Sequence, residues 1–303
     1  IKNGKLRKMR ILYHHRTRGQ GAEGVHIKGV VDGLKKLGHQ VSILSLQNAK
    51  PEHQMDEESV IDDITTVSKF NPLKWLTNIT KYMPEFVFEL FEMIYNLLAI
   101  IRLVKVQKSE NYDLIYERYS LFMLAGVIVS KWKKIPIVIE VNDSAIVERV
   151  RPLLFTRLAR RIETWVFKQA TGIVFISSYF KKVVELNYGT IAPSCVSPNA
   201  ANLDHFKPQD IDGDTVRKKL GFDGKVVLGY VGAFVHWHGI DWFMQEIVSR
   251  LHEKPNLVLL LVGDGVCFDE IQQYVKQAGV ENQVCLTGRV PHNEVANYIA
   301  AMD

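Results

Sequence analysis

Cysteine is scarce in this sequence. Cys195, Cys267 and Cys285 are far apart, odd in number and never in a C-x-x-C pair. That speaks against a disulfide framework or a structural zinc site and fits a reducing cytosol. A long uncharged run is also missing. The most apolar stretch, Phe86–Val106, is interrupted by Glu89, Glu92 and Arg102, whereas a membrane-spanning helix needs about 20 nearly uncharged residues. Charge of one sign does not dominate: 38 Lys and Arg face 33 Asp and Glu, for a net charge of +5. With no aromatic-plus-basic RNA-binding motif, zinc-finger spacing or basic tail, nucleic acid is not an expected partner. The basic opening IKNGKLRKMR is not followed by the apolar stretch of a signal peptide, and Met9 within it is a candidate internal start. What is present is 47% hydrophobic and 23% charged residues over 303 positions, the composition of a globular protein of about two domains.

Strand-like and helix-like segments alternate along the chain. RILYHH (10–15) predicts a strand, followed by a glycine-rich loop and a helix over 25–37 closed by Gly38. Further strands are predicted at 40–46, 113–119, 135–141 and 172–177, with intervening helices at 121–131 and 152–169. IPIVIEV is almost unbroken in apolar, β-branched residues, as expected of a strand buried on both faces of a parallel sheet. VSPNAANLDHFKPQD (196–210) loses periodicity and reads as a linker. Strand–helix alternation then restarts with KVVLGYVG, NLVLLLVGDG and QVCLTG. The expected fold class is therefore α/β, with a Rossmann-like domain over 1–195, a linker over 196–210, and a partial second Rossmann-like domain over 211–303 with three clear strands.

Gly19, Gly21 and Gly24 spell G-x-G-x-x-G after the first strand, the spacing of a dinucleotide-binding turn. The rest of that fingerprint fails. Arg16, Thr17 and Arg18 separate the strand from Gly19, and the second strand ends Ser45-Leu46-Gln47 with no acid to hold a ribose. An NAD- or FAD-binding oxidoreductase is thus disfavoured. The loop keeps its physical capacity: its glycines let a ligand approach the backbone, and the following helix offers free N–H groups.

Five ordered motifs carry a resemblance. They are RGQGAEGVHIKGVVDGLKKLGHQV, VSPNAANLDHFKP, YVGAFVHWHGID, VGDG and TGRV. In that order, over nearly the whole chain, they resemble the family 4 glycosyltransferases, retaining enzymes of the GT-B fold in which two Rossmann-like domains face a cleft. The resemblance implies a nucleotide-diphosphate sugar as donor, no cofactor beyond it and no bound metal. It also implies a glycan, lipid-linked or small-molecule acceptor, with the donor's own phosphate oxygen taking the acceptor proton. An inactive nucleotide-binding protein and a nucleotide-sugar epimerase are the alternatives. The family's E-x7-E motif has no counterpart in 285–303, so the chain is expected to stop short of it, leaving an exposed strand edge.

On the donor side the resemblance implies Gly232, Ala233, Phe234, His238 and Gly239 around the diphosphate. Gly263, Asp264, Gly265, Gly288, Arg289 and Val290 are implied near the base. The family's usual Arg and Lys here are Ala233 and His238, so His238 and Arg289 are the candidates for stabilising the departing diphosphate; no catalytic residue is assigned. The bland reading of His236 and His238 is solvated loop histidines, and Trp237 is read as packing under the loop. On the acceptor side Arg18, Gly19, Gly21, Glu117, Arg118, Glu140, Asn142 and Asp143 are the candidates, with Asn142 where the family often has His. The bland reading of Glu117–Arg118 is a surface ion pair.

Two surfaces bear on membrane contact. In 86–106, Phe86, Leu90, Phe91, Ile94, Leu97, Leu98 and Ile101 recur at helical spacing, opposite Glu85, Glu89, Glu92 and Asn96. The preferred reading is a helix packed on the core by its apolar side; an acidic polar face argues against a membrane-surface helix. The segment 149–168 carries Arg149, Arg151, Arg157, Arg160, Arg161 and Lys168, with Glu163 as its acid. A solvated face is preferred there, with anionic lipid as the alternative. The expected address is cytoplasmic, the inner membrane face being the alternative.

Overall fold

A computed structural model describes residues 7–17, 21–45, 85–147, 153–200, 206–207 and 211–303. The chain divides into two compact units, Ile1–Ala201 and Asn202–Asp303.

The first unit runs β1 (Arg10–His15), α1 (Gly21–Lys36), β2 (Gln40–Ser45), α2 (Glu85–Glu110), β3 (Leu114–Arg118), α3 (Ala125–Lys133) and β4 (Ile137–Val141). It continues with α4 (Thr156–Gln169), β5 (Gly172–Phe175), α5 (Ser178–Tyr188) and β6 (Ser194–Val196). The strands form one sheet in the order β2-β1-β3-β4-β5-β6, and every pairing is parallel. Ile137, Ile139 and Val141 of β4 are wholly buried, because helices cover both faces of such a sheet. On one face Leu12, Ile115 and Ile139 join Ala99, Leu103, Val127, Phe167 and Val184 from α2 to α5 in the main core. On the other, Tyr13 packs with Ile27 and Val31 of α1 in a smaller core. The sheet is doubly wound, as expected.

Three sequence readings are corrected here. Helix α1 begins at Gly21 rather than near Val25, so Gly21 and Gly24 are helical residues and not part of a free loop. Val196, assigned to the linker, ends a short sixth strand paired with β5.

The third correction concerns α2, whose orientation is the reverse of the expected one. Glu89 and Asn96 are buried, while Phe86, Leu90, Ile94, Leu97, Leu98 and Ile101 are exposed. The reason lies in the ends of other elements. Asn96 Oδ1 accepts from the N–H groups of Leu124 and Ala125 at the start of α3, and its Nδ2 donates to the carbonyl of Phe122. The Glu89 carboxylate accepts from the N–H groups of Leu154 and Phe155, just before α4. Glu92 pairs with Arg16. Free donors at helix starts need partners, and the polar side of α2 supplies them.

The second unit comprises α6 (Gly213–Leu220), β7 (Val226–Val231), α7 (Ile240–Glu253), β8 (Leu257–Val262), α8 (Phe268–Gln277), β9 (Val284–Gly288) and α9 (Val295–Ala300). Its parallel sheet has the order β7-β8-β9. Asp212 caps α6 by accepting from the Thr215 N–H. β8 is buried from Val258 to Val262. β7 lies at the sheet edge, with Val226, Leu228 and Val231 exposed; Asp303 bonds the Val227 N–H and C=O.

Candidate functional site

Strand order in the first unit reverses beside β1, and the carboxyl ends of strands at such a switch are where open α/β sheets hold ligands. Two polar clusters occupy that edge, one on each face of the sheet. His14 and Glu117 are register partners on β1 and β3. The His14 Nδ1 lies 2.6 Å from Glu117 Oε2, and both side chains are buried. Arg118 and Glu140 are register partners on β3 and β4, with Arg118 donating to Glu140 Oε1 at 2.9 Å. The surface ion pair Glu117–Arg118, the bland reading of these two residues, does not form. Neighbours along a strand point to opposite faces, so each residue takes its partner across the sheet instead.

Glu140 is the most heavily bonded of these groups. It meets His26 Nε2 at 2.7 Å, Asn142 Nδ2 at 2.5 Å and the Tyr116 hydroxyl at 3.1 Å, besides Arg118. Burial alone would raise its pKa, but His26, Asn142 and Arg118 together hold it below the usual carboxylate range. It is an ionised anchor rather than a base. His15 is wholly buried, and burial with His14 nearby pushes its pKa down to about 4. It is neutral at neutral pH, and its Nε2 has no partner among the described residues. His14, His15 and His26 were not singled out from the sequence. The signal available was their place at the end of β1 and in the helix after it.

Asn142 and Asp143 follow β4, half-buried, and Asp143 Oδ1 accepts from the Ser144 N–H at 2.8 Å. Gly21 opens α1. Arg18 and Gly19 lie outside the described residues, as do Arg149 and Arg151. In α4, Arg157, Arg160, Arg161 and Lys168 are exposed, but Glu163, read as their surface counter-charge, is wholly buried. It accepts from Ser144 Oγ, the Ala145 N–H and Tyr188, so it braces the turn after β4, and burial lifts its pKa.

In the second unit, the loops after β7, β8 and β9 are tied to one another. The Gly232 N–H donates to Val262, the Phe234 N–H to Asp264, the Cys267 N–H to Phe234, and the Gly263 N–H to Gly288. Gly263 and Gly265 have φ of +139° and +159°, and a Cβ on them would stand 1.8 Å from the Gly232 oxygen and 2.4 Å from the Phe234 oxygen. The G-x-G turn thus serves close loop packing, whatever else it meets. Phe234 is wholly buried and packs between Tyr230 and Phe268; its side chain belongs to the core and not to a ligand surface. Asp264 Oδ1 accepts from the Gly265 N–H, as a turn former does. Val290 packs against a core cluster.

The side chains facing outward at this edge include His236, Trp237, His238, Asp264 and Arg289. A single 3₁₀ turn, His236–His238, leads through Gly239 into the 14-residue α7. His238 Nδ1 lies 2.9 Å from the Ala233 carbonyl and 3.1 Å from the Tyr230 hydroxyl. His236 Nδ1 lies 2.8 Å from Asp241 Oδ2, and that hydrogen bond raises the His236 pKa. Trp237, expected to pack under the loop, is exposed at 61%, because its two flanking histidines make the loop's own contacts. The two histidines precede α7 at the carboxyl end of β7 and Arg289 follows β9 of the same parallel sheet, residue types and a helix start that suit an anion.

Residues 23–205 match Glycosyltransferase Family 4, and residues 225–303 match Glycosyl transferases group 1. The chain belongs to glycosyltransferase family 4. It is 23% identical over 219 residues to 2-deoxystreptamine glucosyltransferase of Streptomyces kanamyceticus, covering 68% of this chain and 56% of that protein. It is 22% identical over 216 residues to UDP-Gal:alpha-D-GlcNAc-diphosphoundecaprenol alpha-1,3-galactosyltransferase of Escherichia coli, covering 70% and 55%. The chain therefore spans little more than half the length of these relatives. Among solved structures, Anabaena Alr3699/HepE in complex with UDP-glucose matches with a TM-score of 0.62 at 17% identity, over 97% of this chain and 72% of that one. The fold is that of the GT-B glycosyltransferases.

Proposed function

We propose that this family 4 member is a retaining glycosyltransferase that moves a sugar from a nucleotide-diphosphate donor to a glycan, lipid-linked or small-molecule acceptor. The observation that carries the reading is the second unit's sheet edge, where His236 and His238 stand exposed just before α7 and Arg289 stands exposed after β9. Departure of a nucleoside diphosphate develops negative charge, and fixed dipoles and cations at that place stabilise it. Gly232, Ala233 and Gly239 supply the backbone there. The turns at Gly263–Gly265 and Gly288–Val290 lie at the neighbouring strand ends, where the nucleotide base is read. No resident metal or cofactor enters this scheme. The donor's phosphate oxygen accepts the acceptor's proton as the new bond forms on the same face. The acceptor meets the first unit's edge at Arg118, Asn142 and Asp143, with Glu140 holding Arg118 and Asn142 in position. The name of the Escherichia coli relative includes a diphosphoundecaprenol acceptor, which favours a lipid-linked acceptor and work at the cytoplasmic face of a membrane.

Calorimetric titration with UDP, GDP and dTDP tests the donor site. One of them binds, and His238→Ala or Arg289→Ala weakens it about tenfold, the equivalent of one charge-assisted contact. Unchanged binding in both variants would contradict the assignment.

A further inference from the structure

Helix α2 presents an apolar stripe to solvent. Phe86 is 53% exposed, Leu90 49%, Ile94 45%, Leu97 64% and Ile101 64%, flanked by Phe91 and Leu98. At 1.5 Å per residue the stripe is about 22 Å long. A contiguous apolar face of this kind marks an interaction site. The only acids between Phe86 and Ile101 are Glu89 and Glu92. Glu89 is buried against Leu154 and Phe155, and Glu92 pairs with Arg16. These two carboxylates of the acidic face, which would repel anionic lipid, are thus turned to protein partners.

The Glu89 contacts also bring the start of α4 against the first turns of α2. There Leu154, Phe155 and Leu158 are exposed, and Trp165 follows two turns on. Interleaved with them are the exposed Arg157, Arg160, Arg161 and Lys168, while the one acid of α4, Glu163, is buried. Arg160 and Arg161, with Ile146, Thr164, Asn187 and Tyr188, line an open hollow of about 360 Å³ on the same helix. Exposed apolar side chains beside clustered cations, with no exposed acid between them among the described residues, match the acyl–headgroup boundary of an anionic bilayer. A second copy is a poorer occupant, since a symmetric contact would bring the arginines of the two copies together. Among the described residues no helix is long and apolar enough to cross a membrane, so the contact is one of lying on the surface.

We propose that α2 and the first turns of α4 form a docking surface that lays the first unit on an anionic lipid bilayer. The inference rests on the lipid-linked-acceptor reading above for its purpose. Co-sedimentation with phosphatidylcholine vesicles, with and without phosphatidylglycerol, tests it. The native protein pellets with the anionic vesicles and far less with the neutral ones. Leu97→Asp with Ile101→Asp, and separately Arg157→Glu with Arg161→Glu, each lower the partition at least about tenfold. All four positions are exposed, so the fold survives, and calorimetric binding of whichever of UDP, GDP or dTDP the native protein takes is unchanged in both variants. Native protein that binds its nucleotide yet ignores both vesicles overturns the docking surface alone. So does equal partition of the variants, or a dimer in sedimentation velocity that the Leu97/Ile101 variant dissolves.

Discussion

Glu140 shows how much of this protein's chemistry is fixed by single side chains. Its folded pKa lies below the usual carboxylate range. The stability it contributes is therefore present above the unfolded value and lost as pH falls through the folded one. Glu140→Gln breaks a buried ion pair, and denaturant unfolding at neutral pH is expected to show a loss of about 3–5 kcal/mol. The difference from the native protein shrinks as the pH is taken below about 4. Gly126 is a second such position. A Cβ there would stand 2.0 Å from Glu117 Oε2, and Glu117 is held by His14, so Gly126→Ala costs about 1–3 kcal/mol by overpacking, read as a lowered melting temperature. His236 has the opposite sign. Its pKa is raised by Asp241, so its charge is complete below about 6.5 and disappears as pH rises through the higher folded value. Nucleotide affinity falls over that window, and Asp241→Asn moves the fall to lower pH in titrations repeated across the range. Glu140 and His238 were legible as candidates from sequence position alone. Their partners were not: His26 lies 114 residues from Glu140, and no spacing rule connects them.

At the scale of elements, periodicity revealed α2 as a helix but gave the wrong side to the interior. Apolar residues normally face the core, yet here Asn96 and Glu89 are needed inside to cap the starts of α3 and α4, 28 and 65 residues away. A helix's own pattern contains nothing about the unpaired donors of other helices. Asn96→Ala strands two buried N–H groups and lowers stability by about 2–4 kcal/mol, whereas Leu97→Ala, on the exposed side, changes it by less than about 0.5 kcal/mol. Denaturant midpoints of the two variants compare them directly, and the reverse ranking would restore the sequence reading. The glycine-rich stretch was misjudged for a related reason. Gly21 and Gly24 looked like loop residues by composition, but nothing in the helical conformation forbids glycine, and α1 extends back through both. The G-x-G after β8 was legible as a tight turn. That its glycines admit the Gly232 and Phe234 carbonyls became visible only once the loops were side by side.

For the whole molecule, alternation of β-branched strands with helices revealed most of both sheets, because parallel strands buried on two faces leave long apolar runs. β6 escaped, being three residues of which none is fully buried. The ordered glycine motifs pointed to family 4 although the first of them failed as a dinucleotide fingerprint. Each unit contributes a sheet edge of distinct character: buried, paired carboxylates and histidines in the first, exposed histidines before α7 and an exposed arginine after β9 in the second. That division suits a transferase in which one side fixes an acceptor and the other stabilises a departing diphosphate. Proton NMR of the reaction with an α-linked nucleotide sugar and a lipid-linked glycan acceptor tests this most directly. The account predicts release of the nucleoside diphosphate with a new α-linked glycoside, the anomeric configuration of the donor retained. Nucleotide bound with no sugar released, or a product of inverted configuration, would contradict it.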